Sequence, residues 1–145
     1  MNASAQALSI QAISKVANIP ILVRAEFPEL AVDFSPWLTD QATQVHVDPN
    51  SIDFGFLFKR WHPGLSCSCF LLRVLLSQEL TQSNCRLQGI EATGHRHRDQ
   101  HWHFSSLENW QFEGERLPSE SGQQQLKQVF MQIQTLFHDP ASLLH

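Results

Sequence analysis

From residue 52 to residue 112 apolar side chains recur at every second position, the period of a strand with one buried face. Four segments carry the pattern: Ile52–Arg60, Ser66–Leu80, Asn84–His97 and His101–Phe112. In the first two the even-numbered residues are the apolar set: Ile52, Phe54, Phe56 and Phe58, then Phe70, Leu72, Val74 and Leu76. The third offers Ile90, Ala92 and Gly94, and the fourth Trp102, Phe104, Trp110 and Phe112. The connectors, at His62-Pro63-Gly64, Thr81–Ser83 and Arg98-Asp99-Gln100, are too short for crossovers, so neighbouring strands are antiparallel.

A one-residue slip would turn every apolar side chain outward, so even positions must pair with even. One register satisfies this throughout: Phe56 opposite Phe70, Leu72 opposite Ala92, and Gly94 opposite Phe104. The same register sets Arg73 between Asp53 and Glu91 on the other face, a charge match not used in choosing it. The competing reading makes Phe70–Leu80 a buried helix, because Leu and Arg are good helix formers.

Helices are expected at both ends. Residues 3–17 put Leu8, Ala12, Ile13 and Val16 on one stripe, with Asn18 and Pro20 as the stop. Ile21–Ala25 reads as an apolar edge strand closed by Pro28. Ser35-Pro36 opens a brief helix carrying Trp37 and Leu38, and Asp48-Pro49-Asn50 is a turn. Leu126, Val129, Phe130, Ile133, Leu136 and Phe137 define a wide apolar helix face. Ser121 with Gln124 fits a capping box, and Asp139-Pro140 stops the helix. The expected fold is α+β: an antiparallel four-stranded meander, five-stranded if Ile21–Ala25 joins, with N- and C-terminal helices on its phenylalanine-rich face.

At 145 residues this is the size of one domain, 1–145. The 42% hydrophobic and 17% charged content is that of a globular chain. No apolar run reaches the roughly 20 residues of a membrane span, and the first residues lack the basic start of a signal peptide. A soluble cytoplasmic protein is therefore expected. The three cysteines, Cys67, Cys69 and Cys85, cannot close a disulfide framework and are read as thiols or metal ligands.

The densest chemistry lies in Gly94-His95-Arg96-His97-Arg98-Asp99-Gln100-His101-Trp102-His103. With His97 opposite His101, His95 falls opposite His103 and all four imidazoles share one face. Cys69 then faces His95 and Cys67 faces His97. Imidazole and thiolate suit zinc, structural with four ligands or hydrolytic with three. Such a cluster resists accumulating protons, so some of these imidazoles should titrate low. The plainer alternative is a solvated, histidine-rich hairpin tip. Cys67 or Cys69 beside His97 or His95 also has the composition of a nucleophile with a base.

Partial matches to a first cupin motif (Gly89 with His95 and His97), to the Arg-x4-His element of HEPN ribonucleases (Arg96 with His101, Arg98 with His103) and to half of a two-histidine phosphoesterase (His103-Phe104-Ser105) each lack their remaining parts. No family is read from them, and no complete catalytic motif is present in the sequence. Arg96, Arg98 and Trp102 have the composition of a base-stacking, phosphate-holding group. A net charge of −4 argues against nucleic acid as a partner. Trp37, Trp61, Trp102 and Trp110 exceed what one small core readily hides, and aromatics are enriched at interfaces. The sequence thus points to a non-enzymatic binding or assembly module, an adaptor or chaperone-like protein that pairs with itself or with another protein. Zinc binding at the hairpin is the alternative.

Overall fold

The alternating segments do form strands, and two short strands not foreseen extend the sheet at its edges. The computed structural model describes residues 10–34, 51–77 and 86–138. Helix α1 spans Ile10–Glu26 and is followed by β1 (Ala31–Asp33), β2 (Ser51–His62) and β3 (Cys67–Leu76). Then come β4 (Leu87–Arg96), β5 (Asp99–Ser105), β6 (Gln111–Glu113) and helix α2 (Glu120–His138). The strands make one antiparallel sheet in the order β1-β2-β3-β4-β5-β6. The brief helix at Ser35-Pro36, the turn at Asp48-Pro49-Asn50, the Thr81–Ser83 connector, Cys85 and the Asp139-Pro140 stop lie outside the described residues.

Most of the expected register holds. Phe56 faces Phe70, Leu72 faces Ala92, and Arg73 pairs with Asp53 on one side and Glu91 on the other. The Arg73 guanidinium forks onto the Asp53 carboxylate at 3.0 and 3.1 Å. Residues 67–76 are strand, so the alternative of a helix over Phe70–Leu80 fails. Aromatic side chains of the even face pack on one another, with Phe56 stacked on Phe70 at 5.0 Å.

Three expectations are corrected. The first helix does not stop at Asn18 and Pro20, and Ile21–Ala25 is not an edge strand: α1 runs through Pro20 to Glu26. Ile19, Val23 and Phe27, four residues apart, are all buried, and the Phe27 N–H donates to the Val23 carbonyl. Burying such side chains gains about 1.5–3 kcal/mol each, which outweighs the roughly 3 kcal/mol cost of an interior proline. The fourth segment is not one strand: it breaks at Ser106–Trp110, and Gln111–Glu113 returns as β6 with Phe112 opposite Phe104. The N-cap of α2 is Ser119, not Ser121, since the Gly122 N–H donates to Ser119 Oγ at 3.1 Å.

Both helices cover the even face of the sheet. From α2, Leu126, Val129, Phe130, Ile133 and Phe137 are buried, and Phe130 lies 4.8 Å from the Phe104 ring. Gln125 reaches Glu26 at 3.1 Å and Lys15 sits over Phe137, so the two helices run antiparallel. The start of α2 is fastened to the β2–β3 turn, where Ser119 donates from N and Oγ to the Gly64 carbonyl. A Cβ at Gly122 would lie 2.1 Å from that oxygen, so the approach requires glycine. No helix among the described residues is long and apolar enough to cross a membrane.

Candidate functional site

Two irregularities in the ladder fall at the same end of the sheet, where the β2–β3 and β4–β5 turns lie side by side. Leu57 pairs with Cys69, but the next pair is His62 with Cys67, so the four residues 58–61 stand opposite Ser68 alone and β2 carries three residues in excess. Gly94 pairs with Trp102 and His95 with Gln100, so His101 is in excess on β5. Bulges re-aim side chains and commonly mark functional edges of sheets. Here they turn Lys59, Arg60 and Trp61 out of the ladder and bring His101 against the neighbouring turn.

The resulting frame is well hydrogen-bonded. His101 Nδ1 lies 2.9 Å from the Ser66 carbonyl, which fixes the proton on Nδ1. The buried Trp102 indole N–H donates to the Leu65 carbonyl at 2.7 Å, and the Leu65 N–H donates to His62 Nδ1 at 3.1 Å. The Arg116 N–H donates to the His101 carbonyl at 3.1 Å, joining the segment after β6 to the same end. Trp61 is 37% exposed, with the His101 ring edge-on at 5.4 Å and the Arg96 guanidinium over it at 5.3 Å. His97 carries the turn tip with a left-handed φ of 56°, a conformation costing a non-glycine residue about 1 kcal/mol or more. An open cleft of about 750 Å3 runs between Arg96, Arg98 and Arg116, with Asp99 and Glu115 also on its walls.

The imidazole alignment expected from the sequence is corrected by this geometry. The β4–β5 turn is His97-Arg98 rather than three residues, and the bulge at His101 absorbs the difference. Gly94 therefore meets Trp102 instead of Phe104, His95 meets Gln100 instead of His103, and His103 meets Thr93. His97 is at the exposed tip rather than opposite His101. Cys69 does face His95, as expected, but Cys67 pairs with His62 and not with His97. Among the described residues no group of three or more His, Cys, Asp or Glu side chains is arranged to hold a metal ion. Burial pushes the Cys67 thiol up to about 12, helped by Cys69, and burial also raises Cys69. Both stay protonated at neutral pH, which suits packing better than nucleophilic attack or metal ligation.

His95 is pushed below its ordinary value of 6.5, first by burial and second by His101. As pH drops below about 6.5 the unfolded chain takes up a proton that the folded His95 resists, so stability falls, and the loss levels off once the folded imidazole is protonated. Imidazole NMR titration should find His95 among the most acidic histidines, and His95→Gln should flatten stability against pH in that window. A His95 that titrates at or above 6.5 would contradict the burial assigned to it.

The sequence also misjudged which tryptophan is available. Trp102, grouped with Arg96 and Arg98, is fully buried, and Trp110 packs on Phe104. Among the described tryptophans, Trp61 is the one on the surface. Its signal was the run Lys59-Arg60-Trp61-His62, where alternation stops just after Phe58.

No curated protein and no solved structure matches this chain. A family model described as a domain of unknown function matches residues 4–139, and the chain belongs to that family.

Proposed function

We propose that this chain is a non-enzymatic binding module that engages a negatively charged segment of a partner macromolecule at the bulged end of its sheet. One observation carries the reading. Half of the chain's ten lysines and arginines lie at that end: Lys59 and Arg60 near the end of β2, and Arg96, Arg98 and Arg116 on the cleft, with the Arg96 guanidinium over the exposed Trp61. Among the described residues none of the five makes an ion pair. Like charges within a screening length of about 8–10 Å repel one another, and Asp99 and Glu115 on the cleft walls balance at most two of the five cations. An anion bound there relieves the repulsion. The free thiols Cys67 and Cys69 fit a reducing compartment, so the module belongs in the cytoplasm. Among the described tryptophans, self-association through the surface has Trp61 alone to rest on.

The test is retention on a heparin resin at neutral pH and about 50 mM salt. The wild type, although net negative, is expected to bind and to elute with salt. Arg96→Gln/Arg98→Gln/Arg116→Gln should pass through, while the charge-matched control Lys15→Gln/Arg24→Gln/Arg86→Gln stays bound. A wild-type protein that flows through, or two triple variants that behave alike, would remove the reading.

A further inference from the structure

We infer that the segment held at this end is single-stranded nucleic acid, with a base stacked at Trp61 and phosphates on the surrounding arginines. The inference rests on the anionic-partner reading and narrows it. Cations alone would serve an acidic peptide equally well, but two features of this end of the sheet distinguish the ligands. The first is the exposed indole of Trp61, which shares Arg96 and His101 with the cleft: the Arg96 guanidinium lies 5.3 Å from its ring and the His101 ring 5.4 Å. Aromatic rings and guanidinium planes are the platforms on which unpaired bases stack, and an acidic peptide has no group that needs one. The second is the presence of Asp99 and Glu115 in the same cleft as Arg96, Arg98 and Arg116. Those carboxylates oppose any anion, but toward a nucleic acid they also accept hydrogen bonds from the exocyclic amines of bases, donors that an acidic side chain lacks.

Size and layout agree. The cleft volume of about 750 Å3 lies in the roughly 300–1,000 Å3 range of sites that take a small ligand, so it receives only a short stretch of chain. A duplex keeps its bases stacked inside and needs a long basic face. A single strand can present one base to Trp61 and bend its phosphates into the cleft toward Arg98 and Arg116. The net charge of −4 is no obstacle, because the positive groups are concentrated where the strand lies. RNA and DNA share this chemistry.

The experiment is fluorescence anisotropy with dye-labelled 12-mers of oligocytidylate RNA, oligodeoxycytidylate and polyglutamate, on the full chain. The expected result is saturable binding of an oligonucleotide, with polyglutamate much weaker. For about three to five phosphates neutralised, log affinity should fall with log salt at a slope of about −2 to −3.5. Trp61→Ala should weaken oligonucleotide binding between about fivefold and a hundredfold, the value of one lost base stack. Its circular dichroism spectrum and melting temperature should match the wild type, which reports an intact fold. Tighter RNA than DNA binding would assign a contact to the 2′-hydroxyl, and equal binding would assign recognition to phosphate and base; either supports the inference. Polyglutamate binding as tight as the oligonucleotides, or Trp61→Ala binding them like wild type, would overturn it while retention on heparin keeps the anionic-partner reading. Loss of heparin retention by the wild type would remove both.

Discussion

Trp102→Ala is expected to destabilise the fold by about 3–5 kcal/mol, the usual cost of truncating a fully buried aromatic. Trp102 is 0% exposed, and its ring meets Phe70 at 6.5 Å and Phe112 at 5.3 Å. Truncation leaves a cavity there and also strips the Leu65 carbonyl of its donor at 2.7 Å. The ring lies directly over Gly94, where a Cβ would come within 2.1 Å of it. Gly94→Ala should therefore cost about 1–3 kcal/mol by overpacking, since the indole cannot swing aside without losing its hydrogen bond. The two positions should be coupled: in a Trp102→Leu background the added methyl has room, and Gly94→Ala should cost much less. Urea unfolding of the four species measures the cycle. Additive effects would mean that the ring does not lie over Gly94.

Phe130→Ala should cost a similar amount, about 3–5 kcal/mol, or on the order of 10 °C in Tm. Phe130 is fully buried against Phe104 at the middle of the α2 stripe. Its neighbour Met131 is 58% exposed, and Met131→Ala should stay within about 0.5 kcal/mol. One residue of separation thus divides a core position from a surface one. If thermal unfolding gave both variants the same melting temperature, α2 would not pack by this face.

The stripe containing Phe130 was fully legible in the sequence because three- and four-residue spacing admits one helix face only. The pairing of Phe56 with Phe70 and of Leu72 with Ala92 was legible for a related reason, that parity leaves few registers. What sequence could not show was where regularity stops. The alternation of Trp102, Phe104, Trp110 and Phe112 keeps the same parity across the Ser106–Trp110 turn, which has neither glycine nor proline, so β5 and β6 read as one strand. Pro20 misled in the opposite direction. Local chemistry marks a helix stop, and only the long-range burial of Ile19 and Val23 shows why the helix continues.

The site was half legible for the same cause. Arg96, Arg98 and His101 stood out in the sequence, but a bulge cannot be read from alternation, and one extra residue at His101 separated the four imidazoles. The second bulge brought in Trp61 from a strand whose pattern had seemed to end at Phe58. Arg116 is remote in sequence and reaches this end where its N–H donates to the His101 carbonyl. Net charge sums over the whole chain and does not show where the cations lie.

Backbone amide NMR during titration with a 12-mer oligocytidylate locates the contact without altering the protein. The account predicts shifts concentrated in Lys59–His62, Arg96–His101 and Gly114–Arg116, with α2 and the β1 edge unmoved. Shifts centred instead on α1 or on the Arg73–Asp53 face, or spread evenly over the surface, would contradict the assignment of the bulged end as the binding surface.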